Sequence, residues 1–217
     1  MAKRQGQLRA WQRMLSGRRL DLLDPSPLDV EIVDIAHGLS RVARWNGQTR
    51  GRHAFSVAQH SVLVEEIVAQ LSPECAAETR LTALLHDAPE YVIGDMISPF
   101  KAAMGGDYKQ VEHRLQRAIH LRFGLAAETG AKLHALIKRA DRIAAFLEAT
   151  QLAGFSQREA TEFFGRPVGI TPDRFDLTPQ PTEAVQNAFL QRFGEVEGLR
   201  MPPLTGRADR AGRETTA

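Results

Sequence analysis

Only one cysteine, Cys75, occurs in the 217-residue chain. An internal disulfide is therefore excluded, and so is a soft metal site built on paired thiolates. Cys75 reads as a passive thiol in a reducing compartment. Long apolar runs are missing too: nothing reaches the roughly 18 consecutive apolar residues that crossing a bilayer requires. The N-terminal segment also lacks the apolar stretch of a secretory signal, so the expected location is the cytoplasm, with no membrane partner. Acids are absent from the first 19 residues, where Lys3, Arg4, Arg9, Arg13, Arg18 and Arg19 stand unopposed. The whole chain nevertheless carries a net charge of only +2, too small to imply a nucleic-acid partner. The basic segment reads as a solvated amphipathic helix, with contact to an anionic surface or a neighbouring subunit as the alternative. Convincing strand alternation and internal repeats are lacking as well. What is present, 43% hydrophobic and 25% charged residues, suits a soluble globular protein with a sizeable core.

Periodicity is helical almost throughout, and an all-α fold follows. Helices are expected over about 3–15, 30–44, 56–71, 74–90, 107–123, 126–153, 157–164 and 182–193. Gly17, Pro25 and Pro27 mark a turn-rich stretch after the first helix, and Gly124, Gly154, Gly165 and Gly194 are placed as stops. Ser56-Val57-Ala58-Gln59 has the form of a capping box. The expected organisation is a basic N-terminal extension over 1–27, one domain over 28–200 and a disordered polar tail over 201–217.

The chemistry concentrates in the apolar run Leu81 to Glu90, which contains His86 and Asp87 side by side. An imidazole and a carboxylate in such a segment are costly to bury unless compensated, and a divalent cation uses both. His60 upstream and Asp141 downstream supply the remaining groups of a two-His, two-Asp set spread over three expected helices. Asp141 is flanked by Ile137, Ala140, Ala144 and Leu147, and its neighbours Arg139 and Arg142 do not face it on a helix. On a continuous helix, Glu90 shares an edge with His86 and Asp87 and sets an acid beside the cation. Each residue alone has a structural reading: a helix-end ion pair for His86-Asp87, a helix-face histidine for His60, a core tryptophan for Trp45, a helix-end charge for Glu90. Their coincidence makes the case.

The order His60, His86-Asp87, Asp141 resembles the HD-domain superfamily of metal-dependent phosphohydrolases. Arg44-Trp45, the string His86-Asp87-Ala88-Pro89-Glu90 and the string Gly94-Asp95-Met96-Ile97-Ser98-Pro99-Phe100-Lys101 resemble its bacterial 5'-deoxynucleotidase branch, over about Ile35 to Glu148. The resemblance implies an all-α HD-domain bundle with N- and C-terminal helical extensions, and one divalent transition metal (Mn, Co, Fe or Zn) held by His60, His86, Asp87 and Asp141. It also implies general acid/base work by Glu90, a phosphate clamp at Arg44, and Trp45 pressed against the sugar to exclude a 2'-hydroxyl. Asp95 and Ser98 are expected to line the nucleotide pocket, and Lys101 to touch phosphate. The implied activity removes phosphate from deoxynucleoside 5'-monophosphates, in a homodimer with no nucleic-acid partner.

One departure from the branch is Gln59, where relatives carry glutamate before the first histidine. Phe155, Phe163, Phe164, Phe175 and Phe189 lie in a distinct C-terminal segment that reshapes either the base side of the pocket or a subunit contact. His113, His120 and His134 occupy the interval that supplies extra ligands in dinuclear relatives, but the surrounding sequence resembles the one-metal branch. A dNTP triphosphohydrolase on the same scaffold, using Arg50, Arg52, His53 and Lys101 for the phosphates, and a non-catalytic nucleotide-binding module are the rival readings.

Overall fold

Ser56 starts the helix on which the fold is centred. Its hydroxyl accepts the amide of Gln59 and opens α2 (Val57–Leu71). In the computed structural model, which describes residues 10–96 and 106–200 with the side chains of 106 and 107 aside, seven other helices accompany α2. These are α1 (Ile32–Leu39), α3 (Ala77–Leu84), α4 (Glu90–Ile93), α5 (Gly106–Arg122), α6 (Ala131–Gln151), α7 (Gln157–Phe164) and α8 (Thr182–Arg200). Of these, α1, α3, α6 and α8 pack against α2. The described residues thus form an all-α bundle with one small hairpin.

Two apolar clusters meet at α2. Val57 and Ala58 in its first turn join Ile35, Leu39, Leu84, Leu85, Leu115, Ile119 and Phe189, which knit α1, α3, α5 and α8. From the second turn onward Leu63, Val64, Ile67 and Val68 join Ile137, Ala140, Ile143, Ala144 and Leu147 of α6. Each fully buried aliphatic side chain here contributes about 1.5–3 kcal/mol relative to an exposed one. His60 lies between the two clusters, so the core itself sets its position. On the far side of α2 the fully buried Glu65 accepts from Arg80 of α3 and Arg192 of α8 (2.5 and 2.6 Å), which fixes those helices around it.

Several expected elements differ. Residues 11–13 are not helical: β1 (Trp11–Arg13) pairs antiparallel with β2 (Arg19–Asp21) around Gly17, whose φ is +90°. Tertiary contacts override the helical pattern there. Leu20 is buried in the core, Ser16 donates its amide and hydroxyl to Asp34 of α1, and the Arg13 and Arg19 guanidinium groups lie over the Trp11 ring. The helix expected over 30–44 spans Ile32–Leu39 only, because Ala43 bridges to Ser56 and the chain enters a 3₁₀ turn at Arg44.

The helix expected over 74–90 breaks after Leu84. Pro89 cannot donate within a continuing helix and disfavours helical geometry at Ala88, so residues 85–89 form turns before α4. α6 starts at Ala131 rather than near 126, after Gly130. α8 passes through Gly194 to Arg200, held by buried Val196 and by donation from Arg200 to the carbonyls of Phe123 and Gly124. Gly38 of α1 allows a close crossing: a β-carbon there would lie 2.6 Å from the Tyr91 carbonyl oxygen of α4.

Candidate metal centre and active-site cleft

His60 is fully buried in the second turn of α2. Its Nδ1 lies 2.5 Å from Glu148 Oε1 of α6. His86 sits in the turn after α3, where the break directs its Nδ1 to the carbonyl oxygen of Ala83 at 2.8 Å. Carboxylate and carbonyl oxygens accept only, so both imidazoles donate through Nδ1, which leaves Nε2 as the atom each turns toward the site. Neither Nε2 has a hydrogen-bond partner, although both are buried. The ring centroids are 5.2 Å apart.

Two carboxylates converge on the same space. Asp87 Oδ2 is 3.3 Å from His86 Nε2 and 3.5 Å from His60 Nε2, and Asp141 Oδ1 is 3.5 Å from His60 Nε2. Ligand atoms of His60, His86 and Asp141 all lie within 4.8 Å of one another, with Asp87 beside them. Two orphaned imidazole nitrogens facing two carboxylates are the donor set of a divalent transition metal, with both histidines anchored from behind. These residues therefore fit such a metal.

The electrostatics agree. Burial and the Arg44 cation oppose protonation of His60, but Glu148, Asp141 and Asp87 outweigh them and raise its pKa well above the usual imidazole value. Asp87 is held well below the ordinary carboxylate range: burial works against this, and His86 and His60 overcome it. Asp141 is lowered likewise, chiefly by His60 against its burial. Metal-free, the site is a network of anionic carboxylates around at least one protonated imidazole.

Sequence reasoning assigned no role to Glu148, two turns beyond Asp141 on α6. Fully buried, it accepts from His60 and, through Oε2, from Trp45 Nε1 at 2.8 Å and Arg44 Nε at 3.4 Å. Burial tends to raise its pKa, but Arg44 and His60 pull it down, so it remains anionic. The available signal was its setting in the apolar run Ile143 to Ala149. Lys138 was also missed: at i−3 from Asp141 it faces that residue, and its Nζ lies 2.9 Å from Asp141 Oδ2.

Arg44 and Trp45 occupy a strained turn. Trp45 and Asn46 have φ of 56° and 50°, the left-handed region, at a cost of about 1–2 kcal/mol per residue. The indole bond to Glu148 and ring contacts with Phe155 and Phe164 hold Trp45 there. The Arg44 guanidinium spans Glu148 and Asp95, whose Oδ2 lies 3.3 Å from Nη1, and these carboxylates outweigh burial to raise its pKa.

A cleft of about 580 Å³ opens on this side of the centre, walled by Arg44, Trp45, Glu90, Asp95, Asp141 and the Phe155–Phe163–Phe164 cluster. Glu90, 2% exposed, starts α4; the chain break means it reaches the cleft from a separate helix, not along one edge with His86 and Asp87. Ser98 and Lys101 lie outside the described residues. Gln59 does not complete a capping box; its side chain bonds the Thr178 carbonyl and the Gln180 amide.

On the opposite side, a second cleft of about 480 Å³ reaches Asp87 and Asp141 from α5. His120 there is buried, but its Nδ1 donates to the Ala126 carbonyl and its Nε2 lies 2.6 Å from Gln116 Nε2. Burial lowers its pKa, leaving it neutral. His113 is exposed and paired with Glu128 at 2.9 Å. Among the described residues, only one His/Asp cluster converges as a metal site.

The family described as 5'-deoxynucleotidase YfbR-like matches residues 33–164. An uncharacterized protein of Rhodobacter capsulatus is 56% identical over 184 residues, covering 85% of this chain and 94% of its own. The uncharacterized protein YfdR of Escherichia coli is 30% identical over 173 residues, covering 79% and 87%.

Proposed function

The chain belongs to the YfbR-like 5'-deoxynucleotidase family, and from that premise we propose that it hydrolyses deoxynucleoside 5'-monophosphates to deoxynucleoside and phosphate. The observation that carries the reading is the pair of buried, unpartnered Nε2 atoms of His60 and His86 facing Asp87 and Asp141. A divalent metal bound by those four residues supplies Lewis acidity toward a phosphate oxygen and lowers the pKa of a water.

The chain's own groups do the rest. Glu90, buried at the cleft wall, takes the proton of the attacking water and returns it to the departing 5'-oxygen as the phosphorus–oxygen bond breaks. Arg44 uses Nε on Glu148 and Nη1 on Asp95, which orients the guanidinium and leaves Nη2 for a phosphate oxygen. Trp45, locked by its indole bond, limits the space beside the sugar and excludes a 2'-hydroxyl by bulk and by leaving it unpaired. The phenylalanine cluster continues that wall toward the rim, where Phe163 is 71% exposed, and offers an aromatic face to the base.

Among the described residues, no helix is long and apolar enough to cross a membrane. A cytoplasmic homodimer completes the proposal, with light scattering as its check. Of the four residues that a triphosphatase reading uses, Arg50, Arg52 and His53 line neither cleft and Lys101 lies outside the described residues.

The test is turnover of dNMPs, NMPs and dNTPs with Mn or Co, scored for phosphate, pyrophosphate and triphosphate. Phosphate released from dNMPs, favoured over NMPs, is expected, and Glu90→Gln should lower kcat about 10²–10⁴-fold while retaining metal. Triphosphate release from dNTPs alone, or no turnover with metal bound, contradicts the proposal.

A further inference from the structure

Residues 131–142 of α6 carry Lys132, Lys138, Arg139 and Arg142 against one acid, Asp141, which belongs to the metal cluster. Lys138 and Arg142 are like charges at i and i+4, an arrangement that destabilises a helix. They face a recess of about 500 Å³ that His134, Arg139 and Arg166 also line, and no carboxylate contributes to it. Arg139 is already oriented, donating to the Val168 carbonyl at 2.8 Å across the recess. Arg142 and Arg166 are exposed and pair with no carboxylate among the described residues. Four cationic side chains around one concavity raise a local positive potential that an anion relieves.

The recess adjoins the catalytic cleft. Phe164 packs on Trp45 at 5.9 Å within the cleft wall and lines the recess as well, and Lys138 and Arg142 border both spaces. Lys138 connects them chemically, since its Nζ contacts the Asp141 carboxylate. The cleft and the recess thus share Lys138, Arg142 and Phe164 as a common border.

We infer that the recess formed by Lys138, Arg139, Arg142 and Arg166 is a second phosphate subsite, which binds a further phosphoryl group carried by the nucleotide whose 5'-phosphate lies at the metal centre. The inference rests on the nucleotidase reading for the identity of the ligand. The ligand chemistry is a phosphate dianion recognised by guanidinium forks, supplied either from a 5'-diphosphate or from a 3'-phosphate on the same deoxynucleoside.

The test uses the Mn-loaded Glu90→Gln full chain, which should bind nucleotide with its turnover suppressed, for calorimetric Kd values of dAMP, dADP and deoxyadenosine 3',5'-bisphosphate, with turnover read separately on the unsubstituted chain. One of the two doubly phosphorylated ligands should bind about tenfold more tightly than dAMP, or about 1.4 kcal/mol. That ratio should shrink with added salt, and whichever ligand shows it identifies the source of the second phosphate. In Arg142→Gln/Arg166→Gln the ratio should fall to within about twofold of unity if each fork contributes as an ordinary charge-assisted bond. Both positions are exposed, and Arg166→Gln alone should give an intermediate ratio. Equal Kd values for all three ligands, or a ratio unchanged in the double variant, overturns the inference. Absence of turnover on every deoxynucleotide while the ratio persists refutes the nucleotidase reading and leaves the subsite standing.

Discussion

His60 and His120 are both buried histidines of the same helical bundle, and their surroundings differ in what they leave undone. His120 has both ring nitrogens occupied, by the Ala126 carbonyl and Gln116, and burial leaves it neutral. His60 has one nitrogen anchored to Glu148, while the other faces carboxylates without a hydrogen bond, and its pKa is raised. Burial alone does not distinguish a ligand from a packing residue. An orphaned nitrogen anchored from behind does.

The largest effect should come from exchanging the two environments. His86→Ala removes one of the orphaned nitrogens and should abolish metal retention and turnover, read by elemental analysis and phosphate release. His120→Gln should retain one metal per chain and near-normal turnover, and should cost about 1–3 kcal/mol in stability as buried partners are left unpaired. Loss of metal in His120→Gln would erase the distinction.

A smaller effect should follow at the anchor. Glu148→Gln keeps the shape but removes the charge behind His60, Arg44 and Trp45, and should weaken metal affinity about 10–100-fold. Unchanged affinity would show that the imidazole does not depend on its rear contact.

The smallest effect concerns protons. Because the folded, metal-free protein holds His60 with a raised pKa, its proton remains bound near neutral pH, and a metal must displace it. Binding of Mn near pH 7 should release about one proton, measured by calorimetry in buffers of different ionisation enthalpy. Affinity should fall as pH decreases through the His60 pKa; a pH-independent affinity would contradict the raised value.

Much of the site was readable in the sequence because buried acids and imidazoles stand out in apolar runs. His86-Asp87 between Leu85 and Ala88, and Asp141 between Ala140 and Ile143, are of this kind, and the helix carrying His60 begins where Ser56 predicts. Glu148 was not distinguished, since a single glutamate on a long helix reads as a solvated charge unless its position two turns from Asp141 is weighed with its apolar neighbours. The break at residues 85–89 was hidden by a continuous apolar run, although Pro89 carried the signal. The N-terminal hairpin was invisible because its stability comes from Leu20 and Asp34, contacts that three-residue strands cannot announce locally.

Anomalous diffraction from crystals soaked in Mn tests the central claim most directly. The account predicts one peak about 2.0–2.3 Å from Nε2 of His60 and of His86 and from one oxygen each of Asp87 and Asp141. A peak among His113, His120 and Glu128 instead, or none at the two imidazoles, would contradict it.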